Sequence, residues 1–234
     1  ASAVGGVLSA VMSSLPGVAP LPSGSMAVTL TVIAPSAGVQ TAGDLYVTCN
    51  TGEEGLGDLK GMKAFVADVK EKVAALVAVE GMKINRIIHV GVGSRRYRVT
   101  FSARGGHSWG HFPSPSAIHI MGRAIAEISR LEVPADPKTT YNVGVVRGGT
   151  TVNTIATEAE MLVDMRSVSS ASLADLERRL LDVVRRAAAE GDGQARLDLV
   201  GDRPAGSIPP DHPVVAAARG VQPGSLRLSL YSTR

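Results

Sequence analysis

The 234-residue chain is short of several things that mark function directly. It has one cysteine, Cys49, so neither a disulfide framework nor an all-thiolate zinc cluster can form within it, and a reducing, cytoplasmic setting is expected. Aromatic residues make up 3% of the chain, too few for stacking platforms on single-stranded nucleic acid. Charge is nearly balanced, with 24 Lys and Arg against 21 Asp and Glu for a net +3, and no basic run is long enough to track phosphates. Nucleic acid is therefore not an expected partner. From Ala1 to Gly43 there is no Lys, Arg, Asp, Glu or His. Pro16, Pro20, Pro22 and Pro35 break that stretch too often for a membrane span of about 20 apolar residues, and a signal peptide would begin with basic residues. It reads as a buried helix over Ala1–Ser13, a Pro-rich loop and a buried strand over Met26–Ile33.

What is present is a globular composition, 44% hydrophobic and 19% charged, enough for one large domain or two small ones. Asp44–Cys49 is strand-like and ends in the turn Asn50-Thr51-Gly52. Leu59, Met62, Phe65, Val69 and Val73 recur at helical spacing and predict a helix from about Gly57 to Lys72. Ala75–Val79 reads as a buried strand ending at Glu80-Gly81. Strand, helix and strand make an α/β core, with sites at the carboxyl ends of the strands.

A second unit spans about Gly93 to Gly201. Arg95–Ala103 alternates as a strand, and Ser114-Pro115 supplies a cap and first-turn proline for a helix carrying Ile118, Met121, Ile125 and Ile128. Thr139–Arg147 and Ala156–Arg166 are strands. Ser172 with Asp175 opens a helix carrying Leu173, Leu176, Leu180, Val183 and Val184, which stops near Gly191, and Ala195–Val200 closes the unit. The order βαββαβ predicts a ferredoxin-like fold.

Four places hold residues suited to chemistry. Adjacent Glu53 and Glu54 can divide labour, one holding a metal and the other deprotonating its water; on spacing alone a solvated pair favoured by a helix N-terminus fits better, since Glu-Glu pairs are common. Glu80 is either a ligand at a strand end or an ordinary strand-end carboxylate. In Arg104–His111 the glycines let the backbone bend, and His107 can donate to a developing oxyanion or simply face solvent in a turn. His107 and His111 are four apart, but Gly110 and Pro113 argue against the helix that would make them a metal pair. His89, His119 and His212 show no ligand pattern. Asn153, after the Gly148-Gly149 turn, and Arg166, at the end of its strand, suit recognition of a carboxylate, or belong to a plain hairpin.

TGEEGLGDLKGM (Thr51 to Met62), VEGM (Val79 to Met82), GVGSRRYRVT (Gly91 to Thr100), GGHSWGHFPSPSAIH (Gly105 to His119), GGTTVNTIATEA (Gly148 to Ala159) and VDMRS (Val163 to Ser167) occur in this order. In these stretches the chain resembles the di-zinc peptidases and amidohydrolases that include peptidase T, glutamate carboxypeptidase, aminoacylase, carnosinase and succinyl-diaminopimelate desuccinylase. The resemblance implies a catalytic α/β domain, partly present, with an inserted ferredoxin-like α+β lid that dimerises: residues 1–92 and 202–234 belong to the former and 93–201 to the latter. It implies Glu53 as general base, Glu54 and Glu80 as ligands of two zinc ions, with cobalt or manganese as substitutes, and His107 acting in the partner subunit's site. Asn153 and Arg166 match substrate-binding positions. The reaction implied is cleavage of an amide bond in a small peptide or N-acyl amino acid by a metal-activated water, in a homodimer. Against the family pattern the chain is expected to be truncated at both ends, with the first His and Asp ligands, the bridging aspartate and a last His ligand outside it. The alternative is a catalytically incomplete, dimerising protein that binds a carboxylate-bearing ligand through Asn153 and Arg166.

Overall fold

The computed structural model describes residues 52, 57–71, 75–78, 86–220 and 227–229. The helix expected over Ala1–Ser13, the strands expected over Met26–Ile33 and Asp44–Cys49, and Glu53, Glu54 and Glu80 lie outside the described residues.

The first element is helix α1, Lys60–Val69. It begins later than its apolar spacing suggests because Asp58 and Leu59 have φ of 53° and 58°, a left-handed backbone that cannot continue into a right-handed helix. Ala75–Ala78 has no strand assignment, and Leu76 and Val77 are exposed, against the buried strand expected there. A short apolar run does not encode the ladder partner that makes it a strand. Strand β1, Arg86–Ile88, pairs in parallel with the distant β10, Arg227–Ser229, as in an α/β core.

Next come β2 (Val90–Gly91), β3 (Gly93–Ala103), β4 (Gly106–His107) and helix α2 (Ala117–Ile128). The hairpin of β5 (Thr139–Gly148) and β7 (Glu158–Ser167) follows, with the short β6 (Thr154–Ile155) in its connection. Helix α3 (Ser170–Glu190), β8 (Gly193–Arg203), β9 (Gly206–Ser207) and α4 (Pro213–Gly220) complete the order. Strands β3, β5, β7 and β8 form an antiparallel sheet in the order β5-β7-β3-β8. Its first strand in sequence lies inside, between its third and fourth partners, which is the ferredoxin-like arrangement expected of βαββαβ.

Both helices cover one face of this sheet. Val99 and Phe101 of β3 and Met161, Val163 and Met165 of β7 alternate inward, and meet Ile120, Ala124 and Ile128 of α2 and Leu176, Leu180 and Val184 of α3. Period two in the strands and spacings of three and four in the helices put every one of these on the shared side, nearly all with no exposure. The helix starts differ in detail from the sequence reading. The cap of α2 is Ser116, because Ser114 Oγ instead donates to Gly105 O at 2.8 Å. Ser169 caps α3, accepting from Ser172 N at 3.2 Å, and Asp175 instead pairs with Arg178. Among the described residues no helix is long and apolar enough to cross a membrane.

Candidate functional site

His107 and Asn153 are brought together. The pairing of β4 with β6 sets His107 against Thr154, and Ser108 N donates to Asn153 O at 2.9 Å one step further along the same register. Two glycines make this possible. Gly105 has φ 65°, and a Cβ there would lie 2.7 Å from Ile155 O; Gly106 has φ 136°, and a Cβ there would lie 2.8 Å from His111 Cβ.

The loop after His107 is tied by hydrogen bonds to its own histidines. Trp109 N and Gly110 N donate to His107 Nδ1 at 3.2 and 3.4 Å, and His107 N donates to His111 Nδ1 at 2.8 Å. With Nδ1 accepting in both rings, the proton of each neutral imidazole belongs on Nε2. His107 is exposed, so its Nε2–H is placed to donate to a ligand. His111, read from sequence only as a rejected metal partner, is the residue that caps the turn. Thr151 Oγ1 donates to Asn153 Oδ1 at 2.8 Å, which fixes the amide and leaves its NH2 as the outward donor. An open cleft of about 390 Å³, lined by residues 147–150, 154 and 156–160, adjoins this corner and is of a size that takes small ligands. Trp109 and Phe112, in the loop after His107, and Val152, next to Asn153 in sequence, are 89%, 79% and 104% exposed.

Arg166 is not part of this cluster. It pairs with Ser94 and Thr140 at the opposite end of β7, whereas the Glu158 end of that strand adjoins His107 and Asn153. Eight strand residues separate the two ends, roughly 25 Å. Arg166 Nε donates to Asp164 Oδ2 at 2.7 Å, and Arg96 Nε donates to Asp164 Oδ1 at 2.7 Å. Asp164 lies two residues before Arg166 and opposite Arg96 in the ladder, so the three share the sheet face turned away from the helices.

The Arg166 end is also where the segment 57–63 docks. Asp58 accepts from Asp202 N at 3.1 Å on both oxygens, Lys63 Nζ lies 2.5 Å from Asp58 Oδ2 and 2.7 Å from Asp202 O, and Arg203 Nε is 3.5 Å from Asp58 Oδ1. Burial by itself would raise the Asp58 carboxyl, but the Lys63 and Asp202 hydrogen bonds and the Lys63 and Arg203 charges outweigh it and hold it below the ordinary aspartate range. Glu53 and Glu54 stand in sequence between Gly52 and Gly57, whose backbones pack so closely that a Cβ on Gly57 would lie 2.6 Å from Gly52 O.

Of the remaining histidines, His89 Nδ1 bonds Ile208 O at 2.8 Å, His212 Nδ1 accepts from Val214 N at 3.3 Å at the start of α4, and His119 is exposed on α2. Among the described residues no group of three or more His, Cys, Asp or Glu could hold a metal ion. Carboxylates such as Glu54 and Glu80 are oxygen donors that suit a divalent zinc, manganese or cobalt ion, but two of them fall short of the ligand set that zinc takes.

A family model described as a peptidase dimerisation domain matches residues 92–192, the span from the start of β3 to the end of α3. Among solved structures, an aminopeptidase PepT from Bacillus cereus is similar at 18% identity and TM-score 0.62, over 76% of this chain and 49% of that one. A tripeptidase from Staphylococcus aureus is similar at 20% identity and TM-score 0.56, over 74% of this chain and 49% of that one. An amidase of the hydantoinase/carbamoylase family from Burkholderia multivorans is similar at 22% identity and TM-score 0.51, over 63% and 37%. At these identities the likeness establishes the fold, and the chain spans at most about half of each of these proteins. None of the curated proteins matches the chain. The family match and the ferredoxin-like sheet fall on the same residues, so residues 92–192 match the peptidase dimerisation domain in both sequence pattern and fold.

Proposed function

We propose that the chain is part of a metal-dependent peptidase or amidohydrolase that cleaves the amide bond of a small peptide or an N-acyl amino acid and works as a homodimer. In this reading residues 93–201 are the lid, and residues 1–92 and 202–234 belong to the catalytic domain. Glu54 and Glu80 would each be one ligand of a pair of divalent metal ions, zinc first and cobalt or manganese as substitutes, with further ligands completing the site; the metal would supply an activated water and Glu53 would be its general base. Arg166, held at Nε by Asp164, binds the substrate carboxylate. His107 donates its Nε2–H to the carbonyl oxygen as charge develops on it, and Asn153 binds beside it through its amide.

One observation carries the reading. Arg166 lies at the sheet end where the segment 57–63, which follows Glu53 and Glu54 in sequence, is tied by Asp58, whereas His107 and Asn153 lie at the other end. A dipeptide in extended form reaches about 7 Å and cannot touch both ends, roughly 25 Å apart, in one protomer. A substrate that meets all three residues therefore takes Arg166 from one protomer and His107 and Asn153 from its partner.

Complementation between inactive variants tests this. H107A and R166A should each abolish hydrolysis alone. Co-expressed in equal amounts they should restore about one quarter of wild-type activity, because half of the dimers are mixed and half of the sites in those are intact. Absence of recovery in proven mixed dimers overturns the shared site. A stable wild-type dimer that holds no metal and turns over no amide substrate would favour the alternative, a dimerising protein that binds a carboxylate ligand.

A further inference from the structure

The lid unit is joined to the rest of the described chain by a narrow neck. The chain enters through β2 and leaves through β9, and these pair over two residues each, Val90 with Ser207 and Gly91 with Gly206. Below them His89 bonds Ile208 twice, through Ile208 N to His89 O at 2.9 Å and through His89 Nδ1 to Ile208 O. Two strands paired over so short a length hold the lid in place but resist twisting weakly. A third attachment is needed to fix the lid's angle.

We propose that Asp58 is that attachment, a latch that sets the angle of the lid against the segment 57–63 and thereby acts as a positioning residue for the hydrolytic site. The proposal deepens the hydrolase reading and rests on it for its functional half. Asp58 joins parts of the chain 144 residues apart, and its side chain is only 15% exposed. It receives the backbone N–H of Asp202, the last residue but one of β8, and Lys63 closes a ring by binding both Asp58 and the Asp202 carbonyl. The contact continues into the lid, since Asp202 Oδ1 lies 3.4 Å from Arg95 Nε and Arg95 also pairs with Glu177 of α3, to which Tyr97 OH donates at 2.7 Å. A line of charge thus runs from Asp58 to a helix of the lid.

The backbone supports the same assignment. Asp58 and Leu59 are consecutive non-glycine residues with positive φ, a conformation that costs free energy and persists only where surrounding contacts impose it. The side-chain bonds of Asp58 are such contacts. Because both oxygens of Asp58 are taken up by Asp202, Lys63 and Arg203, it acts through the geometry of its neighbours and not on substrate.

Hydrogen exchange on the full chain tests the latch without reference to activity. D58A should speed exchange of the Asp202 amide by about tenfold or more, leaving the β7 amides at wild-type protection. D58N, which keeps an oxygen acceptor, should fall between. Unchanged exchange at Asp202 in D58A overturns the latch, as does an equal loosening of β7, which would mean general destabilisation. With an active dimer, D58A should lower kcat by about tenfold with KM within about twofold, since the lid would still bind substrate but deliver the partner's donor out of place. An unchanged kcat alongside faster Asp202 exchange overturns the positioning role. If exchange responds and the wild-type chain hydrolyses nothing, the latch stands and the hydrolase reading falls.

Discussion

At one end of the four-stranded sheet Arg96, Arg166 and Asp164 form ion pairs, and Arg203 and Lys63 gather on Asp58. At the other end His107, His111, Thr151 and Asn153 are organised by neutral hydrogen bonds, and the large apolar side chains of Trp109 and Phe112 are left in solvent. Charge is concentrated where two stretches of this chain are clamped against each other, because a carboxylate that takes several donors at once fixes both distance and angle. Neutral donors and exposed apolar side chains stand together at the His107 end. The half-buried guanidiniums of Arg96 and Arg166 make one end rigid through their shared carboxylate. The turn at His107 is rigid through its backbone, which allows its side chains to remain uncovered.

Three substitutions, from the largest effect to the smallest, can break or sharpen that contrast. Phe101→Ala empties the packed layer beneath both ends, where the ring has no exposure, and should cost about 3–5 kcal/mol in denaturant unfolding, with the two ends failing together. Loss of the His107 end alone would show that the ends are not supported by one core. Asp164→Ala removes the carboxylate that Arg96 and Arg166 share and should cost about 1–3 kcal/mol. Its effect on hydrogen exchange should be confined to the Arg166 end, and faster exchange at Ser108 or Trp109 would count against the separation. Trp109→Ala should change stability by less than about 0.5 kcal/mol despite the size of the side chain, since the indole is 89% exposed and the turn is held through backbone N–H groups. A loss above about 2 kcal/mol would place the indole in the folding core rather than on a contact surface.

How much of this could be read from sequence follows from the range of the interactions. The βαββαβ unit was legible because each element advertises itself locally: Val99 and Phe101 at period two in β3, and Leu173, Leu176 and Leu180 at helical spacing in α3. The glycine pair at 105–106 marked the His107 turn for the same reason. Helix starts were misplaced where a serine had a better partner than the helix, as with Ser114 and Gly105. The juxtaposition of His107 with Asn153 depends on the β4–β6 register, and the separation of Arg166 from both depends on the order of strands in the sheet. Neither is encoded in any one segment. Asp58 left no signal at all, since its partner is 144 residues away and its backbone conformation is unusual for its residue type.

The paired strands β2 and β9 bear on how such a molecule can be assembled. Gly93 comes so near the exit of the unit that a Cβ on it would lie 2.5 Å from Ala205 N. To the α/β part of the chain, everything between is a loop whose two ends touch. The entropy of closing a loop grows only with the logarithm of its length, and a module that folds with its ends together removes even that cost. Such a module can be spliced into a surface turn of a host, or exchanged for another of the same entry spacing, with little change to the host's own folding.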